Sequence, residues 1–456
     1  MFNITAELDK SSKTPIYEQL YGIIAAEIMS GEVGEGERLP SKKSLAAHLG
    51  ISVNTVETAY GILAQEGLIR SRPRSGYYTC RIEHLKAADT FVSEPPEQPK
   101  KQYRADFRTN GVDTSTFPYS TWVRLSKSVM YENPELLNTG DFRGDFELRA
   151  SIAKYLHEFR GIQCTPSRIV IGAGIEYLLM MLSVLLKGSV IAMENPGYGK
   201  TADIFANSGC RINYIPIDAS GMSSDELQKT DSDVAYITPS HQFPTGVVMP
   251  VSRRLELIAW AREKSERYII EDDYNGEFNF TIKPIPAVQG LAGGERVIYI
   301  STFSRTLAPS VRISYMVLPP ELAEAYALKF GRYTCAVPRF EQQTLTRFID
   351  GGYFSRHLSR VKGIYKKRCE AVMGILKRYG YAVSGEKAGL HLLAKVPDAQ
   401  RLISFCLDRG IRLYKLDDYY FTDEAPSDTV IIGYAGCSED APELLDDILN
   451  EFSLNI

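Results

Sequence analysis

Apolar residues recur at helical spacing near the start of the chain, where Ile16, Leu20, Ile23, Ile24 and Ile28 share one face and the glycine-flanked stretch 31–36 ends the helix. A second, short helix is expected after Ser41, which caps its first turn, with Leu45 and Leu49 as its apolar stripe and Gly50 as the sharp turn behind it. Ser52 then caps a third helix that buries Val53, Val56, Tyr60 and Leu63 and stops at Gly67. Residues 68–70 and 77–79 read as two short strands joined by a basic turn over 71–76, in the position of a wing. Helix, glycine turn, helix predicts a helix-turn-helix whose second member enters a DNA major groove with Val53, Asn54 and Thr55 nearest the bases.

Residues 81–103 lose this periodicity. They carry Pro95, Pro96, Pro99 and the acidic Glu83, Asp89, Glu94 and Glu97, with Phe91 and Val92 as a brief apolar interruption. Such a stretch reads as a tether, and about twenty flexible residues have a root-mean-square span on the order of 25 Å. From about Asp106 onward, strand-like runs at 168–171, 189–192, 234–237, 268–271 and 297–300 alternate with helical stretches. That alternation predicts an α/β domain with a mostly parallel sheet, whose ligands bind in the loops at the strand ends. The expected organisation is a small domain over 1–80, a linker over 81–103 and a large domain over 104–456.

A length of 456 residues agrees with more than one core, and 44% hydrophobic with 24% charged residues is ordinary for folded domains. The formal charge of −4 shows no global basic excess, but its distribution is uneven. Residues 1–37 hold two lysines against seven acidic groups, whereas 38–81 hold Arg38, Lys42, Lys43, Arg70, Arg72, Arg74 and Arg81 against Glu57 and Glu66. The first domain therefore carries a local basic face. The seven cysteines are scattered and form no C-x-x-C pair, which argues against disulfides and against a metal site. The first ten residues include Glu7 and Asp9 and no apolar run, and the apolar stretch 178–186 is about half of a membrane span. A soluble, cytoplasmic protein with no membrane partner is expected.

A basic face on a small helical bundle is by itself compatible with simple solvation. The segment 14–79, however, resembles the winged-helix DNA-binding domain of the GntR family through Arg38-Leu39-Pro40-Ser41, Val53-Asn54-Thr55-Val56, Ala59-Tyr60, Leu63, Glu66-Gly67-Leu68-Ile69 and Arg74-Ser75-Gly76. The resemblance implies double-stranded DNA as partner. It implies that Arg38, Lys42 and Lys43 reach bases and phosphates, that Ser52, Asn54 and Thr55 contact the groove, and that Gly76 lets the wing tip approach DNA. Ser41, Arg72 and Arg74 complete the expected DNA-facing set. The family often carries arginine at the position of Lys43, and lysine loses the bidentate contact to guanine.

In the large domain, Gly172-Ala173-Gly174 lies between a strand and a helix, where backbone amides cradle phosphates. Glu194-Asn195-Pro196-Gly197-Tyr198 puts an aromatic ring at a strand end, and Asp272-Asp273-Tyr274 ends another strand. Each alone has a packing or capping explanation. Together with Gly140 to Gly144, Pro239 to Gly246 and Ser301 to Pro309 they resemble the fold-type-I aminotransferases, and the whole chain resembles the MocR/GabR-type regulators. That resemblance implies a homodimer and a pyridoxal phosphate site: Gly174 in the phosphate turn, Tyr198 on the ring, Asp272 at the ring nitrogen, Tyr274 at the phenolic oxygen, and Thr302, Ser304 and Arg312 at the phosphate.

The pattern is broken at three places. Arg305 stands where the family motif has lysine, and no lysine lies elsewhere between Ile300 and Leu328. Lysine can lose its proton and attack an aldehyde to form an imine; a guanidinium stays charged and does not. Ile175 replaces an expected hydroxyl in the phosphate turn. The strand 430–435 is apolar where aminotransferases often place an arginine for the substrate carboxylate, and Arg412 lies too far upstream to replace it. The leading expectation is a DNA-binding transcription regulator whose aminotransferase-like domain dimerises and senses a small-molecule effector without catalysis. Its pocket holds pyridoxal phosphate noncovalently, another anionic ligand, or no cofactor. The alternative is an active pyridoxal-phosphate aminotransferase with an accessory DNA-binding domain.

Overall fold

The computed structural model describes residues 8–81, 101–280, 286–422 and 426–454. They fall into two units, one within 1–100 and one within 101–456. Of the tether, residues 82–100 lie outside the described residues, as do the first seven residues of the chain.

The first unit contains α1 (Ile16–Met29), α2 (Lys42–Leu49), α3 (Val53–Gln65), β1 (Ile69–Arg72) and β2 (Gly76–Thr79). Its core joins Leu20, Ile24 and Ile28 of α1 to Leu45 of α2, Val56, Tyr60 and Leu63 of α3, and Ile69. The helix starts follow from their caps: Ser41 Oγ accepts the Ser44 N–H and Ser52 Oγ accepts the Thr55 N–H, both at 3.1 Å. Between the helices Gly50 sits at φ 62°, the left-handed conformation that costs glycine little. The fully buried Tyr60 donates to the Pro40 carbonyl at 3.0 Å, tying α3 to the segment ahead of α2.

Two sequence expectations are corrected here. Val53 is 40% exposed, because it is the first residue of α3 and lies off the stripe that Val56, Tyr60 and Leu63 turn inward. The wing turn is shorter than read, since Arg72 and Gly76 already pair in the antiparallel ladder, leaving residues 73–75 as the turn.

The second unit is built on an eight-stranded sheet. After a short β3 (Ala105–Asp106) come β4 (Ile169–Gly172), β5 (Val190–Asn195), β6 (Arg211–Asp218), β7 (Gly221–Met222), β8 (Val234–Ile237), β9 (Tyr268–Asp272), β10 (Val297–Thr302) and β11 (Ser314–Val317). Their spatial order is β4-β11-β10-β9-β8-β5-β6-β7. Strands β10, β9, β8, β5 and β6 are successively parallel, while β11 runs antiparallel between β10 and β4, and β7 folds back on β6.

The central strands are buried along their length because helices cover both faces. The period-two alternation is visible in β10, where Ile298 and Ile300 join one core with Leu178, Leu182 and Phe205. Its neighbour Tyr299 joins another with Leu148, Ile152 and Phe348.

A smaller antiparallel sheet follows, with β12 (Ala382–Ser384), β13 (His391–Lys395), β15 (Tyr414–Lys415) and β16 (Thr429–Gly433) in the order β12-β13-β16-β15. The short β14 (Ile411–Arg412) instead pairs in parallel with β3. The helices Tyr353–Arg378 and Ala441–Leu454 pack on the smaller sheet. Among the described residues no helix is long and apolar enough to cross a membrane. The seven cysteines are unpaired.

Candidate functional site

On the first unit, Arg38, Ser41, Lys43, Ser52, Asn54, Arg72 and Arg74 are exposed, and Lys42, Thr55 and Gly76 are half-buried. The start of α3 presents Val53, Asn54 and Thr55 outward at a positive helix end, which favours phosphate. The Arg72 guanidinium lies 4.6 Å from the centroid of the Tyr78 ring, which holds it on the wing. Gly76 has φ 110°, and a Cβ there would lie 3.5 Å from Arg38 Nε, so the wing base and the strand-like approach to α2 pack closely. Lys42 differs from its neighbours: its Nζ donates to Glu57 at 2.5 Å, across from α2 to α3, and that hydrogen bond raises its pKa. Lys43 has no such partner among the described residues and remains the freely presented cation of α2.

On the second unit the C-terminal ends of β5, β8, β9 and β10 open onto a cavity of about 240 Å³. The helices α4 (Tyr119–Glu132), α5 (Phe146–Arg160), α6 (Ile175–Leu185) and α7 (Gly199–Asn207) precede or follow these strands, and α6 and α7 each point an N-terminal turn at it. One end of the cavity is built for an anion. Gly174 precedes α6 at φ 98°, and a Cβ there would fall 2.1 Å from Arg312 Nη2, so only glycine lets the guanidinium lie against that turn. Arg312, at φ 50° behind the turn Pro309–Val311, donates from Nη2 to Glu176 Oε2 at 2.7 Å. Burial works to raise the Glu176 carboxyl, but the Arg312 hydrogen bond and the charges of Arg312 and Lys200 hold it below its ordinary value. Ser304 adds a buried Oγ without a partner, while its N–H donates to Thr302 Oγ1 at 3.1 Å. A guanidinium, a free hydroxyl and a helix N-terminus are groups that can hold an anion.

The floor is acidic. Asp272 ends β9 with one carboxylate oxygen accepting from the Tyr236 hydroxyl and the other, Oδ1, buried without a partner. Burial pushes its pKa from 3.8 up to about 7, with the neighbouring Asp273 adding to the rise and the Tyr236 bond and Arg305 opposing it. Tyr274 donates to the His241 carbonyl at 3.0 Å, and burial pushes its phenol up. The walls are aromatic: Tyr198 stands edge-on to Phe243 with centroids 5.4 Å apart, and Phe243 edge-on to Tyr419 at 5.0 Å.

Arg305, between β10 and the turn before Arg312, is half-buried in the same wall. Its guanidinium lies 5.7 Å from the Tyr274 centroid and 3.5 Å from the Thr109 carbonyl. Burial lowers its pKa, against the attraction of Tyr274, Tyr198 and Asp272.

Tyr198, Asp272, Tyr274, Thr302, Ser304, Arg305 and Arg312 thus converge on one cavity, with Gly174 against Arg312. Ile175 lines it too. On β16, Ile431 is fully buried among Leu393, Leu416, Tyr414 and Tyr419, and Arg412 lies with its guanidinium 5.5 Å from the Tyr103 ring and 5.0 Å from the Tyr414 ring. Glu176, Lys200, Thr238, Phe243 and Asn110 also line the cavity and were not singled out from sequence. Glu176 and Lys200 lie one and two residues after Ile175 and Tyr198, so the first turns of both helices held the missing signal.

A winged helix-turn-helix followed by an aminotransferase-like α/β domain defines a class of transcription regulators, and comparison with known proteins bears this out. Residues 107–441 match the family model for aminotransferase class I and II, and 16–78 that for bacterial regulatory proteins of the gntR family. The uncharacterized HTH-type transcriptional regulator YhdI of Bacillus subtilis (strain 168) is 37% identical over 450 residues, 96% of either chain. The probable rhizopine catabolism regulatory protein MocR of Rhizobium meliloti is 30% identical over 454 residues, covering 94% of this chain and 92% of that one.

Among solved structures, Pyrococcus horikoshii kynurenine aminotransferase covers 77% of this chain and 92% of its own, with a TM-score of 0.69 at 23% identity. An archaeal alanine:glyoxylate aminotransferase covers 78% and 92%, with a TM-score of 0.71 at 21% identity. At these identities the two structures establish the fold. The chain belongs to the MocR-type HTH transcriptional regulators, which join a gntR-type helix-turn-helix domain to an aminotransferase class I and II domain.

Proposed function

We propose that this regulator binds DNA through the exposed start of α3, Lys43, Arg38 and the wing arginines, dimerises through the larger unit, and senses a phosphorylated ligand there without chemical turnover. The observation that carries the sensor reading is Arg305, which puts a permanent cation where covalent attachment of pyridoxal phosphate needs an amine. The rest of the cavity fits that cofactor. The unpartnered Ser304 Oγ, the Gly174 turn and Arg312 suit its phosphate, and the unpartnered Asp272 Oδ1 suits a protonated ring nitrogen. When bound, pyridoxal phosphate supplies an electrophilic aldehyde and an electron-withdrawing ring. Around it, Tyr198 would cover the ring, Tyr274 would face the phenolic oxygen, and Thr302 would orient the Ser304 backbone. The phosphate would displace Glu176 from Arg312 or share the guanidinium with it.

The experiment is equilibrium dialysis of the full chain against pyridoxal phosphate, followed by borohydride reduction and peptide mapping. Retention without a covalent adduct is expected. Lys200 is the one lysine lining the cavity among the described residues, and an adduct there would restore the aminotransferase alternative. No retention at all would sink the sensor reading.

A further inference from the structure

The cations around the cavity are not equivalent. Arg312 is compensated by Glu176 at 2.7 Å, and Lys200 stands near that same carboxylate. Arg305 makes no direct ion pair among the described residues: Asp272 attracts it from a distance, and its one hydrogen-bonding neighbour is the Thr109 carbonyl at 3.5 Å. A guanidinium carries five N–H donors in a planar fork that matches a carboxylate, so most of its donor capacity is unused. On β16, where a clamp for a carboxylate would be expected in this fold, Ile431 is sealed in an apolar cluster. A phosphate held at the Gly174 turn would engage Arg312 and Lys200 and leave the donors of Arg305 without an acceptor beyond the Thr109 carbonyl. Half-buried donors without acceptors are costly, and the ligand that completes the cavity therefore brings a second acceptor shaped to the guanidinium fork.

We infer that the cavity is selective for an aromatic phosphate monoester that also carries a ring carboxylate, with Arg305 as the carboxylate receptor. The aromatic part follows from the walls formed by Tyr198, Phe243 and Tyr274, and the unpartnered Asp272 Oδ1 asks for a ring N–H. Arg305 thereby does two things at once: it forbids attachment through an imine and reads an acid in place of an aldehyde. The inference rests on the proposed reading that a phosphorylated pyridine is held noncovalently.

The test uses four pyridine phosphates that differ only in the group at the ring position of the pyridoxal aldehyde: aminomethyl, hydroxymethyl, aldehyde and carboxylate. Calorimetric titration of the full chain should rank the carboxylate first and the amine last, with the carboxylate roughly tenfold or more tighter than the alcohol, the factor a charge-assisted hydrogen bond supplies. Arg305→Gln should abolish that preference, so that the carboxylate binds no more tightly than the alcohol. Arg305→Lys should keep part of the preference of the carboxylate over the alcohol through charge alone, while the aldehyde is set apart by imine formation. Circular dichroism checks that each variant is folded, and Arg305→Met replaces Arg305→Gln if the latter is not. Four equal affinities, or a preference for the amine, would overturn the inference and leave the noncovalent reading standing. Failure of all four to bind would remove the reading beneath it.

Discussion

Replacing Asp272 by Asn isolates the cost of the buried carboxylate at the cavity floor. Its pKa rises from 3.8 to about 7 because the side chain is only 6% exposed. The folded chain therefore holds this proton over a range in which the unfolded chain has lost it, so the group lowers stability progressively as pH rises from about 4 to 7 and by a constant amount above that. At about 1.4 kcal/mol per pKa unit, the full penalty above pH 8 is roughly 4 kcal/mol. At pH 5 the same shift leaves a little under 2 kcal/mol. Asn removes the charge and keeps an acceptor for the Tyr236 hydroxyl, but puts an amide donor where Oδ1 now has no partner, which costs about 1 to 3 kcal/mol at every pH.

The pH dependence is therefore the diagnostic quantity. The stability of Asp272→Asn relative to the unsubstituted chain should be higher at pH 8 than at pH 5 by roughly 2.5 kcal/mol. Both tryptophans, Trp122 and Trp260, lie in the larger unit, so urea titrations followed by tryptophan fluorescence report on it alone. Comparing the two chains at each pH cancels the titration of Glu277, which burial likewise pushes up to about 7 and on which Asp272 does not act. A difference that is the same at pH 5 and pH 8 would refute the argument that burial, and not the Tyr236 bond, governs this carboxyl.

Arg305→Lys should allow an imine: mixing with pyridoxal phosphate should produce a visible absorbance band, and borohydride should fix the cofactor to the introduced lysine in a peptide map. Turnover should stay low, because Ile431 and Ile432 offer no charge to a substrate carboxylate and a lost charge-assisted contact costs about 1.5 to 3 kcal/mol. Neutralising Lys42 and Lys43 together should weaken DNA binding and flatten its salt dependence in filter-binding titrations. Because Lys42 is held by Glu57, Lys43→Gln alone should account for most of the change, about one unit of slope per phosphate contact. Light scattering at micromolar concentration should return a dimer mass; a monomer with full DNA affinity would exclude paired winged helices on paired half-sites.

The features legible in the sequence are those set by short-range physics. Ser41 and Ser52 cap helices through bonds that span three residues, and Gly50 turns the chain through its own φ, so neither needs a distant partner. The central strands announce themselves as apolar runs because helices bury both faces of the sheet. Arg305 is legible as a residue type for a chemical reason, since a guanidinium keeps its charge where an amine can lose its proton.

What depends on distant approach was out of reach. Lys42 meets Glu57 fifteen residues on, and Glu176 meets Arg312 across 136. The antiparallel β11 lies between β10 and β4, and its pairing with β4, far back in the sequence, is one that no local pattern announces. Residue types announce which charges exist, but their burial and pairing arise when the ends of β5, β8, β9 and β10 come together. That is why the sequence determined the two domains and the residue types of the cavity, while tertiary structure decided that Arg312 is paired with Glu176, that Arg305 makes no direct ion pair among the described residues, and that Asp272 holds its proton near neutral pH.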